Sequence, residues 1–213
     1  MNKPLKIALS KGRVADAAMT VLIESGIQFD DTWKRALILS ATNEALQVIL
    51  AKAVDIPTLV EKGAVDLGIV GSDVLDEAES KLFELLSLPI GRCTLCIAGP
   101  ADQQDAYWRQ GILRIATKYP QLAKKYLDQE NLRGEIIQLN GSVELGPLIG
   151  LSDVILDIVE TGKTLVDNGL VVYEKIGPVN AKLVCNRAVF KTRYDRIEQF
   201  VETFRGRNKD EAC

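Results

Sequence analysis

The chain has 213 residues, 47% of them apolar and 26% charged, with a net charge of −3. That composition is ordinary for a globular protein large enough to make a core without disulfides or metals, and it lacks the basic excess of a general nucleic-acid binder. It contains no histidine, which excludes Ser-His-Asp hydrolysis, histidine acid–base chemistry and every histidine-containing zinc site. Chemistry falls to carboxylates, Lys, Arg, hydroxyls, backbone amides or a loosely held metal. Aromatic residues, at 6%, are too few for base-stacking platforms.

Short apolar runs alternate with helical periods, the pattern of an α/β fold. Residues 5–9 read as a strand that ends in Ser10-Lys11-Gly12-Arg13. A helix follows, with Val14, Ala17, Ala18, Val21 and Leu22 on one face, until Gly26 stops it. Strands are expected at 37–39 and 46–50. Asp55 is placed to cap a helix, with Pro57 in its first turn and Gly63 at its end. Residues 65–70 read as a strand, and Gly71-Ser72-Asp73 opens a short helix. Two further strands are expected at 83–88 and 92–98, then a loop or short helix over 101–110.

A second series follows: strand 113–116, helix 119–127, strand 135–139, and a helix over 141–149 interrupted at Gly146-Pro147. Strand 154–157, helix 163–168 ended by Gly169, and strands 170–176 and 182–185 come next. The tail reads as one amphipathic helix over 190–204, with Tyr194, Ile197, Phe200, Val201 and Phe204 on one face that packs in its own lobe. No linker, repeat or low-complexity tract interrupts the chain. Two lobes are expected, 1–92 with 178–213 and 93–177, joined by two crossovers with a cleft between them.

The cysteines stand at 93, 96, 185 and 213. Cys93 and Cys96 form a C-x-x-C within an apolar strand, where residues three apart face opposite ways with Cα atoms roughly 10 Å apart, too far for a disulfide. They read as small core residues. Reduced thiols and a start without a signal-like apolar stretch give the expectation of a cytoplasmic protein. No segment has the length of a membrane span.

The segment from Val154 to Leu165 carries the most chemistry. An apolar strand runs through Asp157 and Glu160 into Thr161-Gly162-Lys163-Thr164, which opens a helix. Such a turn aims backbone N–H groups and two hydroxyls at one point, a cradle for a phosphate monoester. The upstream carboxylates suit vicinal sugar hydroxyls or a hydrated Mg²⁺. Phosphate and diol acceptors together point to a ribose 5-phosphate; the competing reading is an ordinary βα turn with threonine caps. Ser10-Lys11-Gly12-Arg13 places two cations about a glycine at a helix start, a place for a polyphosphate or simply a solvated turn.

The 154–165 segment resembles the phosphoribosyl diphosphate (PRPP) motif of phosphoribosyltransferases, with Leu156 where a second acid is usual. Residues 7–13, 55–63, 66–73, 115–120, 141–145 and 157–165, in that order, together resemble the ATP phosphoribosyltransferase family over about residues 5–190. The length resembles the short, catalytic form of that family, which is associated with a histidyl-tRNA-synthetase-like regulatory subunit in a hetero-oligomer. Lys52 stands where the family often has Arg, and Ser10 where Pro is frequent.

The resemblance implies a two-lobe periplasmic-binding-protein-like (type II) α/β fold with a cleft between the lobes. It implies attack of adenine N1 of ATP on C1 of PRPP, the first step of histidine biosynthesis, with Mg²⁺ carried by the two substrates and no metal site of the chain's own. Lys11, Arg13 and Asp157 would carry the chemistry. Glu144, Asp157, Glu160, Thr161, Gly162, Lys163 and Thr164 would hold PRPP, and Lys11, Gly12, Arg13, Arg35, Lys52 and Asp73 would hold ATP. Neither nucleic acid nor membrane is an expected partner. The rivals are a two-lobe binding protein for a phosphorylated ligand and a phosphoribosyltransferase acting on a free base.

Overall fold

The computed structural model describes residues 3–30, 36–104 and 111–205. The chain divides into two compact units, Met1–Gly91 with Asn180–Cys213, and Arg92–Val179.

The first unit grows around β1 (Leu5–Ser10), in which Ile7, Ala8 and Leu9 are all buried. Burial of consecutive residues is what a parallel strand covered on both faces requires. Its partners are β3 (Leu46–Ala51) and β4 (Leu67–Gly71), both parallel to it. The short β2 (Ile38–Ser40) runs antiparallel to β3. The last strand, β9 (Leu170–Cys185), pairs antiparallel with β4 through Ala181–Cys185.

One face of this sheet carries Ile7, Leu9, Leu67 and Ile69 against Ala15, Ala18, Met19 and Leu22 of α1 (Arg13–Glu24). The other carries Ala8, Val70 and Val184 against α2 (Ile56–Glu61) and α3 (Ser72–Glu77). The alternation is the two-residue period of the strands expressed as two separate cores.

The second unit repeats the plan. Its central strand is β6 (Leu113–Thr117), parallel to β7 (Gly134–Gln138) on one side and to β8 (Val154–Val159) on the other. β5 (Phe83–Pro100) closes it, antiparallel to β8. Ile115 and Leu156 pack towards α4 (Pro120–Gln129), while Ala116 and Ile155 pack with Val143 and with Leu165 of α6 (Lys163–Asp167).

The repetition extends to single bonds. Asp66 and Asp153 each stand one residue before the third parallel strand of their unit, β4 and β8. They accept from the backbone N–H of Lys6 and Arg114, at 2.8 Å in both cases. Each also pairs with a guanidinium, Asp66 with Arg193 at 2.9 Å and Asp153 with Arg114 at 2.6 Å. The sequence shows no repeat because topology and burial are conserved between the units while side-chain identities are not.

Several expectations are corrected. β5 and β9 are each one long strand where two short ones are expected, and these two strands carry the chain from one unit to the other. Gly91, Gly177 and Pro178 are breakers by propensity, but each lies within a continuous strand. The helix expected over 141–149 is only α5 (Leu145–Leu148), preceded by Ser142 with a positive φ of 47°. Asp55 makes no side-chain cap; it closes a 3₁₀ turn, Ala53–Asp55.

The C-terminal helix is two, α7 (Arg187–Thr192) and α8 (Tyr194–Arg205). Arg193 leaves helical geometry between them, and its guanidinium reaches Asp66 and the carbonyls of Lys3 and Pro4. α8 buries Ile197, Phe200, Val201 and Phe204 in the first unit's core, as the spacing predicts, whereas Tyr194 is exposed. Cys93, Cys96 and Cys185 form no disulfide among the described residues, and burial raises Cys96 and pushes Cys185 up to about 12. No helix among the described residues is long and apolar enough to cross a membrane.

Candidate active site

Strand order decides where ligands meet each unit. In the first, the chain leaves β1 towards β3 on one side and returns to β4 on the other. The connections therefore part at the carboxyl ends of β1 and β4, the topological switch point where open α/β sheets take ligands. In the second, the same parting falls between β6 and β8.

The first switch point is cationic. Ser10 ends β1 buried, and Lys11, Gly12 and Arg13 follow it, all exposed. Gly12 has φ 96° and ψ −151°, a backbone region open in practice only to glycine, and it turns the chain into α1. The N–H of Lys11 donates to the carbonyl of Ala51 at 3.0 Å, in register with Ser10 opposite Ala51. Lys52 follows Ala51, so Lys11 and Lys52 leave neighbouring strand ends side by side, and Lys52 is exposed. Asp73 lies in the first turn of α3, 6% exposed. Its carboxylate folds so closely over Gly71 that a Cβ there would collide with it. Arg35 lies outside the described residues.

The second switch point is built from hydroxyls, a glycine and one half-buried acid. After β8 come Glu160 and Thr161, both exposed, then Gly162 at φ 75° and ψ 0°, a left-handed residue that opens α6. The hydroxyl of Thr161 accepts the Lys163 N–H at 3.4 Å, bending the loop back on itself. Thr161, Lys163 and Thr164 are exposed around this turn.

Asp157 is 17% exposed, near the end of β8. Its Oδ1 accepts the backbone N–H of Ile158 at 2.8 Å and meets the Lys118 ammonium at 3.2 Å. Burial raises the Asp157 carboxyl above its ordinary value; Lys118 and the Ile158 N–H pull it down, and the charge of Glu144 adds a smaller upward push. Glu144, half-buried, precedes α5.

The loops after β6 and β7 thus supply Lys118 and Glu144, and the end of β8 with the loop after it supplies Asp157 and the glycine-threonine turn. The six PRPP-side residues read from the sequence beside Glu144 come from one stretch of chain, while Glu144 is brought up by the fold.

Lys118 was not among the residues expected to act. It is the first residue after β6, as Lys11 is the first after β1, and that shared position is the signal a sequence could have offered. Chemically, one unit presents cations for a polyphosphate and the other presents donors for a phosphate monoester beside a carboxylate for hydroxyls. Among the described residues no group of three or more acids or thiols is placed to hold a metal ion.

Comparison with known proteins gives the family. A family model for ATP phosphoribosyltransferase (HisG) matches residues 52–206. The ATP phosphoribosyltransferase of Lachnoclostridium phytofermentans is 45% identical over 207 residues, covering 95% of this chain and 96% of that protein. Among solved structures, the ATP phosphoribosyl transferase (HisG:HisZ) complex from Thermotoga maritima aligns with a TM-score of 0.83 at 32% identity, over 95% of this chain and 97% of the other. The periplasmic VFT2 domain of BvgS from Bordetella pertussis aligns at a TM-score of 0.58 and 15% identity, over 86% of this chain and 81% of that one, a likeness of fold alone. The family model's span, this degree of identity over nearly the whole chain and the shared fold lead to one assignment: the chain belongs to the ATP phosphoribosyltransferase family.

Proposed function

We propose that the two switch points divide the substrates of one reaction, the first unit's edge holding ATP and the second unit's edge holding PRPP. The reaction is pentosyl transfer. The N1 lone pair of the ATP adenine bonds to C1 of the ribose, the C1–O bond to diphosphate breaks, pyrophosphate leaves and phosphoribosyl-ATP forms. This is the entry step of histidine biosynthesis.

The chemistry accounts for the absence of histidine. Adenine N1 is already a nucleophile, so no strong general base is needed. What the protein supplies is alignment of two polyanions and stabilisation of an oxocarbenium-like sugar and a departing diphosphate. Alignment can contribute roughly 7–11 kcal/mol of such a barrier.

In this reading the turn Thr161–Thr164 grips the 5-phosphate, while Asp157, with Glu144 and Glu160 nearby, accepts from the ribose hydroxyls. Lys11, Arg13 and Lys52 receive phosphate charge, and Asp73 and Arg35 serve the nucleotide side. Mg²⁺ arrives with the polyphosphates as part of the substrates. The chain works in the cytoplasm in a hetero-oligomer with a histidyl-tRNA-synthetase-like regulatory subunit; the HisG:HisZ assembly of the Thermotoga maritima relative supports the hetero-oligomer.

The single observation that carries the reading is left-handed Gly162 between Asp157 and α6, flanked by two threonines. The test is to incubate the chain with ATP, PRPP and Mg²⁺, with and without the regulatory subunit, and weigh the products. Phosphoribosyl-ATP is expected. An adduct formed with free adenine or guanine but not with ATP, or no adduct in either arm, would overturn it.

A further inference from the structure

Asp157 is a carboxylate that folding drives towards neutrality, yet its role as an acceptor for sugar hydroxyls needs the anion. Two groups meet it, and both engage the same oxygen, Oδ1: the Ile158 N–H at 2.8 Å and the Lys118 ammonium at 3.2 Å. Oδ2 carries no protein hydrogen bond among the described residues. The carboxylate is therefore held by one oxygen and offers the other.

Lys118 is itself held. The buried hydroxyl of Thr117 donates to the Leu156 carbonyl at 2.6 Å and accepts the Tyr119 N–H at 2.9 Å. Those two bonds pin the end of β6 against β8, where Thr117 pairs with Leu156. They fix the backbone on either side of Lys118, and its ammonium lies 5.0 Å from the centre of the Tyr119 ring, within cation–π range.

We propose that Lys118 is a positioning residue of the phosphoribosyl site: it holds the Asp157 carboxylate as an anion in one orientation, with Oδ2 presented to a ribose hydroxyl. The inference rests on the reading that Asp157 binds PRPP.

The other groups around Asp157 do not replace it. Glu144 repels the charge, and the β5 residue opposite Asp157 is Cys96, a buried thiol whose own titration is raised. Lys175 acts on Cys96 and is not among the groups that shift Asp157. Lys118 is the one cation that does.

The experiment is PRPP binding to the full chain by calorimetry, with Mg²⁺, from about pH 5 to about pH 8, a window wide enough to catch a raised carboxyl. Each variant is compared with the unsubstituted chain so that titration of the substrate cancels. Lys118→Met should weaken binding by at least about tenfold at the acid end, as expected when a largely buried carboxylate loses its cationic partner. Its acid limb should move to higher pH, because Asp157 then protonates more readily. The loss should shrink as pH rises, and Lys118→Arg should restore most of it. A loss of the same size at every pH would mean that Lys118 touches the substrate directly and would overturn the inference, as would no loss in a variant whose melting temperature is unchanged. Asp157→Asn separates the two levels: if it leaves PRPP binding intact, the reading of the site fails, and if it abolishes binding while Lys118→Met changes nothing, only the role of Lys118 fails.

Discussion

The two units are built on one plan and carry opposite chemistry. Each has a central strand flanked by two parallel neighbours and an antiparallel fourth, with an aspartate clamp one residue before the third parallel strand. At the switch point of the first stand Lys11, Arg13 and Lys52, exposed to solvent. At that of the second the corresponding lysine, Lys118, is spent on Asp157, and in the proposed function the anion-binding task passes to backbone N–H groups and hydroxyls around Gly162. A scaffold fixed by burial and strand order leaves its loops free to diverge, so one plan can hold two polyanions by different means.

The comparison can be broken in four places. The largest effect is expected from Thr161→Val with Thr164→Val. Loss of two hydrogen bonds to a charged group should raise KM for PRPP by at least about a hundredfold and leave KM for ATP and the melting curve nearly unchanged. Equal loss for both substrates would erase the distinction between the units.

Next are the clamps. Asp66→Ala strands Arg193, which is only 21% exposed, and Asp153→Ala strands Arg114, which is 40% exposed. Asp66→Ala should therefore cost more, about 2 kcal/mol by denaturant unfolding, and Asp153→Ala less. Hydrogen exchange should show each loss confined first to its own unit.

Lys11→Ala should weaken ATP or pyrophosphate handling by more than about fivefold, beyond the roughly 1 kcal/mol ceiling of an exposed ion pair. Steady-state kinetics in both directions would show it.

The smallest effect concerns stability and has a definite sign. The Asp157 carboxyl is raised by burial. Its contribution to folding is therefore fully present below its unfolded value and lost as pH rises through its folded value. Asp157→Asn should accordingly melt higher than the unsubstituted chain near neutral pH, with the gain vanishing in acid. A gain that grew in acid would show that Lys118 outweighs burial.

Much of this site could be read in one dimension because it is local. Strand, Asp157, Gly162 and the threonines lie within eight positions, and a phosphate turn needs only backbone angles and neighbouring hydroxyls. The same holds for Ser10 to Arg13. The long strands β5 and β9, the break at Arg193 and the shortened α5 could not be read that way. Gly91, Gly177 and Pro178 look like stops by propensity, yet the strands run through them, because sheet membership is settled by tertiary pairing rather than by local propensity. Arg193 looks like another helical residue until Asp66, 127 positions away, claims its guanidinium.

The amino-acid sequence by itself determined the α/β alternation, the buried faces of β1 and α8, and the composition of the two loops, because periodicity and glycine placement act over a few residues; on α1 it found Ala18 and Leu22 but not Ala15 and Met19, which are buried where Val14, Ala17 and Val21 are expected. Tertiary structure alone decided that the chain makes the same unit twice, that Lys118 faces Asp157 and that Glu144 reaches the same neighbourhood. Those facts depend on parallel strands brought into register by long crossovers, and register is a property of packed sheets rather than of any segment within them.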